Sequence, residues 1–360
     1  METKHLQLFI PGPTEVAPEV LAEMARPLIG HRTKEMSALQ KDITEKMQKV
    51  FYTENLVILS TSSGSGLMEA AVRSCTAKRA LCCSMGDFGT RWYKMAKANN
   101  VPADLIEVPL GKHVPAEEID KALATGKYDL VTTTHSETAT GVLNNLEEIA
   151  AVMKKYPEVV WCVDSVSAAA GVKVEVDKLG IDIFLTSTQK ALGLPPGLAV
   201  ASMNKKAYDR TADVEFRGVY FDLRAIYDRI VKKNYQYPST PNVSLMYAMD
   251  KQLDRILEEG LDNRFARHAE MAEYTRAWAK KYFDIFPEEN YCGNTLTVVE
   301  NTRGISVADL NKELAKRGKT IANGYGDLKE KTFRIAHMGE INMEDIKALL
   351  ADINDILGLE

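Results

Sequence analysis

A single lysine stands where a predicted strand ends. In residues 181–200, IDIFLTSTQKALGLPPGLAV, an apolar run closes in polar residues and Lys190, and the loop that follows contains Pro195 and Pro196. A lone lysine at a strand end is usually a solvated surface residue. The two prolines weigh against that interpretation, because a stiff loop fixes the direction in which a side chain points. Lys190 is therefore a candidate for amine chemistry.

A carboxylate closes a second apolar run. Asp164 follows VVWCV at residues 159–163, where it can serve simply as the N-cap of a following helix. A buried carboxylate at the same place would instead hold a protonated ligand nitrogen through a charge-assisted hydrogen bond. Both alternatives are open on this residue alone.

A small-residue turn and an aromatic ring follow two other predicted strands. The stretch STSSGSGLMEAA leads straight into a predicted helix, and the free N–H groups of a helix N-terminus attract anions. The turn Ser63-Gly64-Ser65 is thus a candidate phosphate cradle, with a plain strand-to-helix turn as the equal alternative. Phe88, in GDFGTRW, is a candidate to stack on a planar ligand or simply to pack.

A polar loop, HSETATG, follows a further predicted strand. It supplies hydroxyl groups on Ser136, Thr138 and Thr140 and a carboxylate on Glu137. These groups are suited to ligand contacts. The alternative is a polar turn that caps the next helix.

All these residues follow strands of one repeating pattern. Strands are predicted at 57–61, 79–85, 129–135, 159–164, 181–187 and 198–203, and helices at 66–75, 90–99 and 146–155, the last capped by Asn144 or Asn145. The strand runs are apolar throughout, which is typical of a mostly parallel sheet covered on both faces. Open sheets of that kind bind ligands at the carboxyl ends of their strands, so the candidate residues are expected to converge there.

The pattern changes after about residue 245. One long helical stretch is predicted at 245–283, followed by strands at 295–300 and 331–338 and a helix that begins near Ser306. A last helix has Asn342 as its cap and Asp345 three residues on.

The length of the chain favours two domains over one. We expect a large domain over residues 15–255 and a smaller α+β domain over residues 256–360, which an N-terminal arm of residues 1–14 joins.

The composition limits the functional classes. The 360 residues carry a net charge of -5 with both signs interspersed, so neither nucleic acid nor a basic binding face is expected. No stretch has the roughly 20 apolar residues that a membrane span needs, and the N-terminus lacks the apolar core of a signal peptide. Five cysteines without paired spacing favour free thiols in a reducing cytoplasm and no metal site.

The candidate residues together would provide a binding turn for a dianion, a stacking ring, a buried carboxylate and a lysine amine. Pyridoxal 5'-phosphate needs all four. Its phosphate would bind the turn at 63–65 and its ring would stack on Phe88. Asp164 would hold the protonated pyridine nitrogen, and Lys190 would form a Schiff base with the aldehyde carbon.

Taken together, the motifs resemble those of the class V aminotransferases, specifically the alanine–glyoxylate and serine–pyruvate aminotransferase group. The resemblance begins at FIPGPTEVAPEV and GHRTKEM and continues through SSGSGLMEAA, GDFGTRW and HSETATGVLNNL. It is strongest at VDSVSAAAGVKVEVDKLGIDIFLTSTQKALGLPPGLA and ends with KTFRIAHMG. It implies an α/β protein of fold type I, with a mostly parallel seven-stranded sheet in a large domain and a smaller C-terminal α+β domain.

The resemblance also implies roles for single residues around pyridoxal 5'-phosphate. Lys190 matches the Schiff-base lysine and Asp164 the partner of the pyridine nitrogen. Phe88 occupies the stacking position, which is often tryptophan in relatives. The remaining matches to cofactor-contacting positions are Ser63, Gly64, Ser65, Thr138 and Gln189.

On the substrate side, Arg334 in FRIAHMG matches the arginine that binds the substrate carboxylate, a task that suits its planar guanidinium. Gly12 lies in the turn that lines the substrate side. The family forms homodimers with shared active sites. Tyr235 and Thr240, in YQYPSTPNV, fall where relatives lend phosphate contacts across that interface, with Ser239 as the alternative to Thr240.

These assignments imply ping-pong transamination. Because Arg334 is the one convincing carboxylate-binding arginine, we expect small substrates: alanine or serine as donor and glyoxylate or pyruvate as acceptor. Arg32 or Arg91 could also enter the site. Relatives in the group use aspartate, ureidoglycine or aminoethylphosphonate, and these donors stay open.

Three other functions are weighed against this one. A cysteine desulfurase needs a nucleophilic cysteine on a loop near the substrate, but residues 301–340 hold none, and Gln189 stands where such relatives usually have histidine. A nicotinamide-dependent dehydrogenase would explain GSGLME, but Glu69 stands where the third glycine is needed. A binding protein that kept the fold but lost the activity would be expected to lack one of the candidate catalytic or cofactor-binding residues, and none of them is missing.

Overall fold

The computed structural model describes residues 5–360, and in that range it contains twelve strands and thirteen α-helices. The strands are β1 (Gln7–Phe9), β2 (Leu56–Ser60), β3 (Ala80–Ser84), β4 (Ala103–Glu107), β5 (Leu130–Thr134), β6 (Val160–Asp164), β7 (Ile183–Ser187), β8 (Ala199–Met203), β9 (Asp284–Ile285), β10 (Leu296–Glu300), β11 (Lys319–Asn323) and β12 (Thr332–Ala336). The helices are α1 (Pro18–Glu23), α2 (Lys34–Phe51), α3 (Gly64–Cys75), α4 (Asp87–Ala98), α5 (Ala116–Leu123), α6 (Leu146–Met153), α7 (Val176–Leu179), α8 (Lys205–Arg210), α9 (Leu223–Lys232), α10 (Val243–Glu259), α11 (Leu261–Tyr282), α12 (Val307–Lys316) and α13 (Met343–Leu357).

The larger sheet has seven strands in the order β2-β8-β7-β6-β5-β3-β4. The strands from β7 through β4 run parallel to their neighbours, whereas β8 is antiparallel to both β7 and β2. Five of these strands are buried at every residue, because helices cover both faces. The predicted α/β class with a mostly parallel seven-stranded sheet is confirmed.

One strand of this sheet was not predicted from the sequence. Strand β4, ADLIE, lies at the sheet edge beside β3 and is mostly half-buried. An edge strand is partly solvated, so it lacks the continuous apolar run that marked the central strands.

Two helices begin earlier than their sequence patterns indicated. Helix α3 begins at Gly64 rather than residue 66, and α4 begins at Asp87 rather than residue 90. A Cβ at position 64 would lie 2.6 Å from Val166 Cγ2, so packing selects glycine inside a helix that propensity alone disfavours. As a result the candidate phosphate turn and Phe88 belong to the first turns of two helices.

The single helix predicted at 245–283 is wrong. The structure has two helices, α10 and α11, which meet at Gly260 with φ 82° and ψ 130°. A positive φ is accessible to glycine without a Cβ clash, and it turns the chain between two amphipathic segments. The helical periodicity on each side concealed the break.

The smaller sheet has five strands in the order β1-β11-β12-β10-β9. Strand β1 comes from the N-terminal arm and pairs in parallel with β11, with Gln7 opposite Lys319. A second apolar core fills the space between this sheet and α11, α12 and α13. The boundary between residues 255 and 256 stays a prediction, and residues 1–4 of the predicted arm lie outside the described residues.

Helix caps and thiols follow the expectations. Asn342 and Asp345 form the predicted capping box of α13, and Asn145 rather than Asn144 caps α6. All five cysteines are free. Within residues 5–360, none of the helices is long and apolar enough to cross a membrane.

A buried arginine of α11 ties the C-terminal half to the loop that carries Lys190. Arg264 is 1% exposed. Its Nη2 donates to Ala191 O at 2.6 Å and its Nε to Ala170 O at 3.0 Å. Its Nη1 pairs with Glu259 at 2.7 Å. Since Ala191 directly follows Lys190, the position of that loop depends on this side chain.

Replacing Arg264 with methionine should destabilise the protein strongly. The change leaves buried carbonyls without a donor, so we expect a loss of about 2–4 kcal/mol in the free energy of unfolding. Urea unfolding followed by circular dichroism measures this loss. Arg79→Met, which removes a partly exposed pair with Asp104, is the control and should cost less than about 1 kcal/mol. Equal midpoints for the two variants would contradict the assignment.

Candidate active site

Lys190 lies in the turn that follows β7, where the N-terminal arm covers it. Its Nζ donates to Pro11 O, and a Cβ on Gly12 would lie 2.8 Å from its Cδ. Gly12 has φ 126°, so only a glycine lets the arm approach the lysine this closely. The role of Gly12 in a turn that lines the substrate side stays a prediction.

The loop around Lys190 is closed on itself through Thr188. The Oγ1 of Thr188 donates to Pro195 O at 2.7 Å, and its backbone N–H donates to Leu198 O at 3.1 Å. The proline segment therefore returns to the strand end from which the loop departs. Loss of hydration and, to a smaller extent, the charge of Arg334 lower the pKa of Lys190 to about 8. The neutral amine is therefore far more accessible near neutral pH than that of an ordinary lysine.

Asp164 ends β6 and is 3% exposed. Its Oδ1 accepts a hydrogen bond from Val166 N at 2.8 Å. Desolvation raises the pKa of Asp164 to about 6, although that bond and the charges of Arg91 and Lys190 oppose the rise. The alternative that Asp164 is only a helix N-cap is wrong, because the next helix, α7, begins at Val176.

The turn at 63–65 leads into α3, and one of its hydroxyls, Ser65 Oγ, accepts a hydrogen bond from Arg91. Ser63 is the N-cap of this helix, yet its side chain makes no capping hydrogen bond. Ser187 Oγ lies 3.6 Å from the Cβ position of Gly64 and is a buried atom without a partner in the described residues. Free hydroxyls beside the N-terminus of a twelve-residue helix suit an anion.

A buried carboxylate fixes the helix that carries Phe88. Glu137 is fully buried and accepts hydrogen bonds from Phe88 N, Gly89 N and Ala139 N at 3.0, 3.0 and 3.1 Å. Desolvation raises its pKa to about 7. From the sequence, Glu137 was a candidate for ligand contacts or part of a polar turn that caps the next helix. The structure shows that Glu137 holds the first turn of α4, and with it the position of the Phe88 ring.

The ring of Phe88 has two neighbours on the cleft. Its centroid lies 5.6 Å from that of Tyr325, and Arg91 Cζ lies 4.5 Å from it. Tyr325 was missed by the sequence analysis. Its signal was an aromatic residue between two glycines, NGYGD, directly after a strand.

Arg334 reaches the same cleft from β12. Its Nε donates to Asn323 O at 2.9 Å, its Nη1 to Thr138 O at 3.3 Å, and its Cζ lies 5.5 Å from the Tyr325 ring centroid. No carboxylate within residues 5–360 pairs with it. Thr138 Oγ1 shares a hydrogen bond of 2.5 Å with Ser167 Oγ.

Gln189 completes the set of buried polar groups beside the lysine. Its Oε1 is buried and has no hydrogen-bond partner among the residues that the structure describes. An uncommitted acceptor at this place is available to a bound ligand.

The segment from Tyr235 to Thr240 is not joined to this cleft by the described contacts. Tyr235 has a left-handed backbone with φ 60°. Ser239 and Thr240 are exposed and line a separate cavity with Ser60 and Thr61. The choice between Ser239 and Thr240 stays open.

The two further arginines considered for the site, Arg32 and Arg91, lie in different places. Arg32 donates to the carbonyls of Tyr237 and Pro238, the latter at 3.1 Å, and so belongs to the segment just described. Arg91 donates from Nη1 to Ser65 Oγ at 3.1 Å and lies in the cleft.

The cleft thus gathers an amine with a lowered pKa, a carboxylate with a raised pKa, an aromatic face and an anion-binding turn. A planar ring with a protonated nitrogen and an anionic tail matches these groups. Arg334 is left for a second anion. Such a set can exchange protons with a ligand held between the ring and the lysine.

Comparisons with known proteins agree with this geometry. The family model described as aminotransferase class-V matches residues 8–328. An uncharacterised aminotransferase of Methanocaldococcus jannaschii is 39% identical over 352 residues, which cover 96% of this chain and 90% of that protein. The L-aspartate–glyoxylate aminotransferase of Paracoccus denitrificans is 30% identical over 352 residues, with 94% of this chain and 88% of that protein covered.

The crystal structure of an alanine–glyoxylate aminotransferase from a Nostoc species superimposes with a TM-score of 0.93 at 26% identity. The match covers 99% of this chain and 96% of that chain, which confirms the predicted fold type I. With the family model matched over most of its length, the chain belongs to the class V aminotransferases.

Proposed function

We propose that this chain is a pyridoxal 5'-phosphate-dependent aminotransferase that acts on small substrates. Alanine or serine is the amino donor, and glyoxylate or pyruvate is the acceptor. The observation that carries the proposal is the pairing of Lys190 and Asp164, whose pKa values shift in opposite directions around one cleft. Groups tuned in this way are typical of acid–base catalysis.

The residues present fit the cofactor. The hydroxyl of Ser63 does not cap its own helix and Gln189 Oε1 has no described partner, so both are available to a bound group. When bound, pyridoxal 5'-phosphate supplies an aldehyde carbon that links to amines and a ring that takes up the electron pair freed at the substrate. Ser63, Gly64, Ser65, Phe88, Thr138, Asp164, Gln189 and Lys190 are the residues that would hold it.

The chain's own groups then move and hold the protons. Lys190, with its pKa near 8, would accept the proton from the substrate α-carbon as a neutral amine. It would then return the proton to the carbon that the cofactor's aldehyde group contributes. Asp164 stays ionised against a protonated ring nitrogen, because a nearby cation offsets the desolvation that raises its pKa in the free protein. The arm at Pro11 and Gly12 excludes water from the amine.

The arginines of the cleft limit the size of the substrate. Arg334 has no carboxylate partner in the described residues and is free to grip the α-carboxylate of a substrate. A second cation that binds a distal carboxylate would favour a dicarboxylic donor. The relative from Paracoccus makes aspartate the chief alternative. Ureidoglycine and aminoethylphosphonate remain open as donors. Four of the five thiols are buried, and the fifth, Cys292, donates to the carbonyls of Glu288 and Glu289, so no thiol within residues 5–360 is free for desulfurase chemistry.

A homodimer with shared active sites is part of the proposal, as is a cytoplasmic location, which the free cysteines support. Phe216, Val219 and Tyr220 expose 81%, 92% and 50% of their surface. Apolar side chains this exposed and this close in sequence favour a protein interface. Tyr235 and Thr240 would reach the partner's cofactor rather than their own.

Addition of substrates to the reconstituted protein tests the activity. Alanine should bleach the visible band of the bound cofactor and glyoxylate should restore it, because each half-reaction changes the cofactor's oxidation level. Lys190→Ala should bind cofactor without this exchange, and steady-state turnover should fall at least a thousandfold, roughly the range for loss of a general base. A band that responds only to aspartate would make aspartate the amino donor in place of alanine or serine. The absence of a visible band after reconstitution would refute the proposal that the protein binds pyridoxal 5'-phosphate.

Replacing Asp164 with asparagine should stabilise the cofactor-free protein while it reduces activity. A carboxyl with a raised pKa binds more protons when folded, so its destabilising effect is complete above pH 6 and absent at low pH. We expect the variant to gain up to about 3 kcal/mol at pH 8 and much less at pH 4.5. Turnover should fall at least about a hundredfold.

The matched control is Asp182→Asn. Asp182 is equally buried but accepts from Trp161 N at 2.7 Å and pairs with Lys206 at 2.8 Å, so this change should destabilise the protein at pH 8. Denaturant midpoints at the two pH values supply the comparison. A loss of stability in Asp164→Asn at pH 8 would count against the assigned burial.

Mixing two inactive variants tests the shared sites. Thr240→Asp should repel the phosphate of the partner's cofactor, and Lys190→Ala removes the amine. A hybrid of the two chains regains one intact site, so refolding an equal mixture should restore about a quarter of wild-type activity if sites are shared and chains pair at random. Size-exclusion chromatography checks the dimer. If Thr240→Asp is already active, Ser239→Asp takes its place, and activity in both variants would exclude the contact.

A further inference from the structure

Arg91 has a position that the proposed chemistry does not use. It lies one turn along α4 from Phe88, so the two side chains share one face of the helix. Its guanidinium carbon lies 4.5 Å from the Phe88 ring centroid, and its Nη1 donates to Ser65 Oγ at 3.1 Å. One side chain therefore connects the stacking ring to the anion-binding turn.

The charge of Arg91 is not neutralised locally. Within residues 5–360, no carboxylate lies at ion-pair distance from it. It is half-buried, and it is near enough to lower the pKa of both Asp164 and Lys190. A half-buried cation without a counter-ion, aimed at a serine hydroxyl, is suited to a bound anion.

The turn at 63–65 needs such a cation. The N-terminus of α3 contributes roughly half a positive charge, whereas a phosphate monoester carries about -1.5 to -2 near neutral pH. Lys190 cannot supply the difference, since its amine is committed to the opposite end of the ligand. We propose that Arg91 is a phosphate-binding residue of the cofactor site, completing the charge that the helix N-terminus provides. The inference rests on the proposed function.

A substrate-binding role for Arg91 is the competing assignment. Arg334 occupies the substrate side, where it contacts Thr138 and the Tyr325 ring. Arg91 instead donates to Ser65, in the turn assigned to the phosphate. The contacts place the two cations on different partners and favour one anion for each.

Comparing two ligands that differ only in the phosphate tests the proposal. Cofactor-free wild type, Arg91→Gln and Arg91→Lys are titrated with pyridoxal 5'-phosphate and with pyridoxal, and Kd is read from the visible band and from tryptophan fluorescence. Arg91→Gln should weaken pyridoxal 5'-phosphate roughly tenfold to a hundredfold, as expected for one charge-assisted contact, and pyridoxal less than about threefold. Arg91→Lys keeps the charge and should lie between wild type and Arg91→Gln.

Inorganic phosphate provides a readout without the ring. It should compete with pyridoxal 5'-phosphate for the wild-type apoprotein, and Arg91→Gln should weaken this competition by a similar factor. Arg79→Gln is the control, because Arg79 pairs with Asp104 at the amino end of β3, away from the cleft. It should change neither affinity. Circular dichroism establishes that each variant is folded.

The outcomes separate the assignments. Equal weakening of both ligands by Arg91→Gln would overturn the proposal in favour of a structural role at Phe88. Unchanged affinity for pyridoxal 5'-phosphate, with a KM for aspartate that rises while that for alanine does not, would overturn it in favour of a substrate role. If wild type itself binds neither ligand, the proposed function fails, and the fault does not lie with Arg91.

Discussion

The structure depends on how the backbone around Lys190 is held. Four consecutive carbonyls are bound by other parts of the chain: Gln189 O by Thr14 N, Lys190 O by Thr14 Oγ1, Ala191 O by Arg264 and Leu192 O by Gln252. A strand-end loop has no ladder to satisfy these acceptors, and each buried carbonyl left unpaired is costly. The arm, α10 and α11 therefore converge on this loop, and the lysine is fixed as a consequence.

The charges in the cleft are arranged at the expense of stability. Asp164 and Glu137 are buried without an ion-pair partner among the described residues, and both have raised pKa values because of desolvation. Lys190, Arg91 and Arg334 are cations without carboxylate partners within residues 5–360. Opposite charges at a distance across a cleft leave room for a ligand, whereas direct ion pairs would close it. In the free protein these charges lack ion-pair partners among the described residues. A bound ligand that carries both charges would pair with them and stabilise the folded state.

Much of this site was predictable, because residue type and strand position carry it. Lys190 and Asp164 each end a continuously apolar strand, and parallel strands bring their carboxyl ends together. The capping box of α13 was predictable for a similar reason, since its signal is local. The contacts of Arg91, Glu137 and Tyr325 were not, because they join elements distant in sequence. Strand β4 and the break at Gly260 were missed where solvation or helical periodicity on both sides concealed the local signal.

The pairing of β1 with β11 has a consequence for how the chain matures. Gln7 lies opposite Lys319, more than three hundred residues later, and the arm that follows β1 supplies Pro11, Gly12 and Thr14 to the lysine loop. During synthesis β1 emerges long before β11 and has no strand to pair with until β11 has followed. The large sheet can form earlier, but its lysine stays uncovered. The cover over the lysine is therefore completed only after β11 has been made.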